Sequence, residues 1–246
     1  MMRAATLVFA FVLSMAGSAM AQEWTEYQNI QDGFKVVFPG QPKVAETTWK
    51  SEFDYILPAR VYSAERGPER YSVTVVDYNG IERQGMERRT TCPPGAETCI
   101  GSDLSGPGHW KHDVRGALIY ATSRFLQRNA RVTHYLWNHQ DLVEGHELQL
   151  TNNADQSRTF VFVGMHEMRL YILEGTVPKG HPVPALFQTS AGWVDADGSG
   201  IRYQSIYANQ FYGLKQMPSP PRGGRGRGAG GGAPQGPGGG AGPSRP

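Results

Sequence analysis

Seven histidines and two cysteines are the residues of this chain best suited to hold a metal or move a proton. The triplets "HEL" at His146 and "HEM" at His166 each begin like H-E-x-x-H, the zinc-protease pattern that places two imidazoles one helical turn apart. The fourth following residues are Leu150 and Leu170, so neither pattern is completed. "HWKHD" separates His109 and His112 by two residues at an expected helix start, a spacing that fixes no ligand geometry by itself. His134 alternates with Val132 and Leu136, and His146 with Leu148 and Leu150. Paired as a hairpin, these two strands would bring both imidazoles onto one face. The ordinary alternative is separate histidines, hydrogen-bonded within a half-buried sheet. The chain has no G-x-S-x-G elbow and no glycine-rich phosphate loop ending in Lys-Ser or Lys-Thr. No residue is therefore named catalytic, and a binding role is expected over an enzymatic one.

"DADGSG" is the sharper motif. Asp195, Asp197 and Ser199 match positions one, three and five of a calcium loop, with Gly200 at the sharp turn and the Ile201 carbonyl at seven. Position twelve, where an EF-hand supplies a bidentate glutamate, is Ile206. Without that ligand the loop would be a weak calcium site, with a dissociation constant of about 10⁻⁴ to 10⁻³ M. The competing reading is an Asx-type turn closing a helix that ends at Val194. No other cofactor is implied.

Cys92 and Cys99 flank a Pro-Pro-Gly turn in "TCPPGAETC", and their role depends on compartment. The N-terminus reads "MMRAATLVFAFVLSMAGSAMAQEW": a basic Arg3, an apolar run and an A-x-A site, so residues 1–21 form a signal peptide cut between Ala21 and Gln22. The apolar run is shorter than the roughly 20 residues a permanent transmembrane helix needs. A periplasmic or secreted protein is expected, and there an isolated cysteine pair reads as a disulfide. A zinc site would need further ligands, and C-x6-C lacks the redox geometry of C-x-x-C.

Residues 22–217 carry 19 basic and 22 acidic groups, a net charge of −3, so the domain itself invites no nucleic acid. The basicity sits in residues 218–246, with 12 Gly, 7 Pro and four arginines and no aromatic residue. That tail cannot offset the entropy of ordering and is expected to be disordered, either passive or touching anionic envelope polymers. Between leader and tail, Val-, Tyr- and Thr-rich runs punctuated by Asp-Gly, Pro-Gly and Gly-Pro predict five strands up to about residue 78. An irregular insertion is expected near 80–109. The apolar spacing of Val114, Leu118, Ala121 and Phe125 predicts a helix. Four more strands follow, then a short helix in "VPALFQTSAGWV". One α+β domain with a mostly antiparallel sheet flanked by helices is expected over residues 22–217.

"DGFKVVFPGQP" near the mature start resembles the opening of PsbP-like proteins, and the order of strands and helices over residues 23–194 is similar to theirs. The resemblance implies an α-β-α sandwich with a closing helix near Phe187 to Trp193, used as a binding or accessory platform. The reading is thus a non-catalytic envelope protein whose partner is another envelope protein or a small ligand. The alternatives are a small secreted hydrolase with a histidine site, or a calcium-stabilised structural module.

Non-reducing peptide mapping of the exported protein should find Cys92 and Cys99 linked and the chain beginning at Gln22. Two free thiols would overturn the disulfide, and a retained Met1 would overturn the compartment on which it rests.

Overall fold

The computed structural model describes residues 23–90 and 109–208. The signal peptide, Cys92 and Cys99, and the tail lie outside the described residues. Ten strands run β1 (Trp24–Asn29), β2 (Phe34–Pro39), β3 (Lys43–Lys50), β4 (Ile56–Arg66), β5 (Glu69–Asp77), β6 (Ala130–Gln140), β7 (Val143–Asn152), β8 (Arg158–His166), β9 (Arg169–Val177) and β10 (Gly192–Trp193). The helices are α1 (Ile81–Thr90), α2 (His109–Leu126) and α3 (Ala185–Thr189). Seven strands form one sheet in the order β3-β4-β5-β9-β8-β7-β6, and three form a second in the order β1-β2-β10. Every strand pair in both sheets is antiparallel.

Alternation along the strands sorts residues between two apolar layers. In β4, Leu57 and Ala59 face the helices, whereas Tyr62 and Ala64 face the small sheet. Val114, Ala117, Ala121 and Phe125 of α2 pack on Leu148, Val161, Val163 and Leu170, and Leu118 of the predicted stripe is partly buried beside them. The opposite layer joins Phe34, Val36 and Phe38 of β2 to Tyr71, Val73, Tyr171 and Leu173, with Phe187 and Trp193 closing it. The central strands β8 and β9 are buried on both faces. Each large apolar side chain buried there contributes roughly 1.5–3 kcal/mol.

Two expectations need correction. Residues 81–90, placed in an irregular insertion, are helical; Glu, Arg, Gln and Met favour the helix although among its described side chains only Ile81 is buried, so no apolar period announces it. The helix expected to run to Trp193 stops at Thr189. Ser190 Oγ then accepts the Val37 amide of β2 at 2.9 Å and donates to the Phe187 carbonyl at 3.1 Å, which turns the chain into β10 beside Phe34. One face of the large sheet is therefore covered by helices, and the other by a three-stranded sheet with a five-residue helix.

The β1–β2 turn anchors that second layer. Gly33, at φ 69°, reverses the chain, and Asp32 beside it is buried. Arg60 grips the Asp32 carboxylate with both arms of its guanidinium, Nε donating to Oδ2 at 2.8 Å. Tyr62 donates its hydroxyl to the same oxygen at 2.5 Å, and Tyr171 donates to the Asp32 carbonyl at 2.5 Å. Burial pushes the carboxyl up, but the hydrogen bonds from Arg60 and Tyr62 and the charges of Arg60 and Arg169 outweigh it and hold the group below its ordinary 3.8.

A carboxyl held low in the folded state stabilises above the unfolded value of 3.8, and that stability is lost as pH falls through the depressed one. Asp32→Asn leaves Arg60 without its charge partner and should lower unfolding stability at pH 7 by about 3 kcal/mol. In denaturant titrations the variant should also lose less stability than the parent between pH 5 and pH 2. Parallel pH profiles for the two would show that Asp32 is not the linked group.

Candidate functional site

The described histidines are distributed rather than gathered. Strand register decides this: His146 of β7 lies opposite Trp137 of β6, while His134 lies opposite Gln149. Directly opposed residues share a face, so His134 and His146 project to opposite sides of the sheet and do not form a pair. Thr133 adds a bulge, since Val132 opposes Leu150 and His134 opposes Gln149. The bulge sets Val132 on the same face as Tyr135 and Trp137, away from His134. His146 Nδ1 lies 2.9 Å from Thr122 Oγ1 of α2 and 3.3 Å from the Tyr135 hydroxyl. Burial favours the neutral ring and pushes this imidazole's pKa down, against the opposing pull of the Glu144 charge.

His166 is buried between Trp193 and Tyr207, each 4.9 Å away by ring centroids, and its Nε2 meets the Tyr203 hydroxyl at 2.5 Å. His181 Nδ1 reaches Glu69 Oε1 at 3.1 Å, and Tyr71 donates to that carboxylate at 2.7 Å. Another group with chemical potential, Asp113 on α2, is sealed from solvent. Burial pushes its carboxyl up against the Ser51 hydrogen bond, and the Ser51 hydroxyl and Phe53 amide both donate to Oδ2. Asp113 thereby fastens the β3–β4 connection to α2, where no substrate reaches it.

"DADGSG" forms a tight exposed turn between Val194 and Gly200, which bridge antiparallel to each other. Asp195 Oδ1 accepts the Asp197 amide at 2.9 Å and the Ser199 amide at 2.8 Å, and the Asp195 amide donates to the Ser199 carbonyl at 2.9 Å. This is Asx-turn geometry: the first carboxylate points at backbone amides. Among the described residues no three His, Cys, Asp or Glu side chains are grouped to hold a metal.

Two other features lie at the β6–β7 end of the sheet. The first is an open edge. β6 spans 11 residues with no neighbouring strand beyond it among the described residues. The two-residue turn Asp141–Leu142 makes Gln140–Val143 the hydrogen-bonded pair, so the amides and carbonyls of Tyr135 and Trp137 point away from β7. Val132, Tyr135 and Trp137 are 38, 49 and 54 % exposed on one face of this strand. The opposite edge, β3, presents Lys43, Glu46 and Lys50 instead.

The second feature is a cavity of about 410 Å³ on the other face, between the β6–β7 hairpin and α3. Phe162 and Leu173 form its floor, with Asn138, Asp141, Glu147 and Gln188 in the walls. Asp141 and Leu142 turn at φ 42° and 64°, a left-handed conformation costing a leucine about 1–2 kcal/mol. Tyr207 holds that turn: its amide donates to Leu142 O at 2.8 Å and its carbonyl accepts the Glu144 amide at 3.0 Å. Sequence patterning singled out neither place. The available signals were Gly145 and Gly164 inside strands, where glycine marks close approach, and an edge strand with one charged residue, Arg131.

No family model and no curated protein matches the chain. The solution structure of cyanobacterial PsbP (CyanoP) from Synechocystis sp. PCC 6803 is similar at 12 % identity, covering 72 % of this chain and 96 % of that one with a TM-score of 0.39. At that level the likeness assigns no residue and no partner. The fold itself is mostly antiparallel β-sheet with few helices among the described residues. Among the described residues no helix is long and apolar enough to cross a membrane.

With Asp195 turned onto amides, 10 mM calcium should leave the melting temperature where EDTA leaves it. A site of about 10⁻⁴ to 10⁻³ M would instead add roughly 1.4–2.7 kcal/mol. A calcium-dependent rise that vanishes in Asp195→Asn/Asp197→Asn would prove the loop a metal site.

Proposed function

We propose that this is an exported, non-catalytic binding protein of the cell envelope that uses a PsbP-like sandwich as its platform and the β6 edge as its docking strand. The observation that carries the reading is the open edge itself, with outward backbone groups at Tyr135 and Trp137 beside an exposed Val132–Tyr135–Trp137 face. Exposed, unguarded edge strands are templates for pairing, and β-strand addition supplies affinity through main-chain hydrogen bonds and specificity through alternate side chains. The partner is an envelope protein offering an extended, apolar segment. Tryptophan and tyrosine at such positions are the residue types that dominate binding energy. The N-terminal leader supports export, and "DGFKVVFPGQP" with the element order supports the platform. The rival hydrolase reading needed His134 or His146 beside a carboxylate in a pocket. His134 and His146 diverge, and His146 is held by a hydroxyl pair.

A photocrosslinking amino acid placed at Trp137 in the exported protein should capture a discrete envelope protein. The same residue placed at Val44 on the β3 edge should not. Tyr135→Ala should weaken capture by at least about tenfold. Equal capture from both edges, or none from either, would remove the edge as the binding surface.

A further inference from the structure

We propose, resting on the reading of β6 as the docking strand, that its occupant is a second copy of this chain, paired antiparallel about a two-fold axis at Leu136. The docking strand calls for an extended segment with exposed apolar side chains, and β6 of another copy is such a segment. The β3 edge, with Lys43, Glu46 and Lys50, offers no equivalent.

Antiparallel strands bond where opposed residues both turn their amides and carbonyls toward each other. On β6, Tyr135 and Trp137 turn theirs outward, one residue to either side of Leu136. With the axis at Leu136, Tyr135 of each copy opposes Trp137 of the other, and both pairs exchange both main-chain bonds. An axis at Tyr135 would oppose Trp137 to Thr133, which lies in the bulge with its hydroxyl bonded to the Gln149 carbonyl. An axis at Trp137 would set Tyr135 against His139 rather than an apolar neighbour. The axis at Leu136 stands perpendicular to the sheet and keeps like faces together. Exposed Val132, Tyr135 and Trp137 of both copies then form one stripe, with Tyr135–Trp137 cross-strand pairs at about 4.5–5.5 Å.

Charge selects a second copy over another strand. Arg131 is the charged residue of β6, and Asp141 follows its far end, five residues to either side of Leu136. Neither side chain forms an ion pair or a hydrogen bond among the described residues. Both lie on one face. Arg131 opposes Thr151, which shares the face of Glu147, and Glu147 lines the cavity together with Asp141. The two-fold axis brings each Arg131 alongside the other copy's Asp141, within about one residue of direct opposition once the bulge at Thr133 is taken out of the count. Parallel pairing would instead set Arg131 beside Arg131. An unrelated strand would have to carry the same two charges in reverse order, whereas a second copy presents them by symmetry.

In analytical ultracentrifugation the full mature chain should sediment as a reversible dimer with a dissociation constant below about 100 μM. Under mild oxidation Leu136→Cys should link two chains, because a residue on the axis opposes its own copy at disulfide distance; His134→Cys and Val44→Cys should not. Arg131→Glu, checked for unchanged melting temperature, should weaken the dimer at least about fivefold. The same change should cost less in an Asp141→Asn background, where asparagine still suits the left-handed turn. A dimer indifferent to Arg131→Glu, or linked equally through His134→Cys or Val44→Cys, would overturn the proposal. A monomer that still crosslinks from Trp137 to a different protein would overturn the second copy and leave the docking edge standing; a monomer with no such crosslink would remove both. A monomer whose Tyr135 and Trp137 amides resist hydrogen exchange would assign the edge to another segment of the same chain, and overturn the second copy as well.

Discussion

The β1–β2 hairpin must bury an aromatic face against a sheet with which none of its strands pairs, and apolar contact alone does not fix its angle or register. Asp32 supplies the missing direction. Its carboxylate is held by Arg60 and Tyr62 of β4 and its carbonyl by Tyr171 of β9, so the turn is pinned to two strands of the large sheet. Those donors come from strands separated by β5, which makes the junction sensitive to the pairing of all three. Buried ion pairs add little net stability against an apolar alternative but are costly to break. Here the value of the pair is directional. Once Asp32 is seated, Phe34 meets Tyr62 edge-on at 4.9 Å and Phe38 meets Phe187 at 5.4 Å, and the layer can close.

That closure positions the far end of the sheet. β10 pairs with β2, so Trp193 is placed by the same hairpin that Asp32 orients, and its indole donates to the Gln140 carbonyl at 3.0 Å. The contact reaches the last residue of β6. Tyr207 then ties Leu142 and Glu144, and its hydroxyl accepts the Glu167 amide at 3.2 Å, joining the β6–β7 turn to the β8–β9 turn. Both turns hold non-glycine residues at positive φ, Asp141–Leu142 and Glu167–Met168, where glycine or asparagine is the usual choice. Their strain persists because tertiary contacts over-determine them, a situation found most often beside binding sites.

The strand periods were legible because each central strand alternates between two different apolar layers, so Val, Tyr and Phe recur without long polar interruption. The α2 stripe was legible for the same reason. α1 was not, since among its described side chains it buries only Ile81; its glycine, Gly85, allows Trp110 and Tyr55 to approach within 3.0 and 3.2 Å of its Cβ position. The closing helix was overextended because "SAGW" carries no breaker stronger than a glycine, and its termination depends on Ser190 reaching a distant amide. The motif "DGF" carries a resemblance in sequence, whereas the role of its aspartate depends on Arg60, 28 residues away.

Register explains both why His134 and His146 lie on opposite faces and why Val132, Tyr135 and Trp137 gather on one. A two-residue turn fixes which β6 residues oppose which β7 residues, and with Gln140 opposite Val143 an even-numbered residue near His134 opposes an odd-numbered one. Had no bulge intervened, Val132 would share the face of His134 and Leu136, as simple alternation implies. Thr133 shifts it to the face of Tyr135 and Trp137 instead. One inserted residue therefore gathers three apolar side chains on one side of the open edge. Bulges commonly serve to twist an edge away from unwanted pairing. This one instead gathers exposed apolar side chains beside backbone groups that have no partner strand among the described residues.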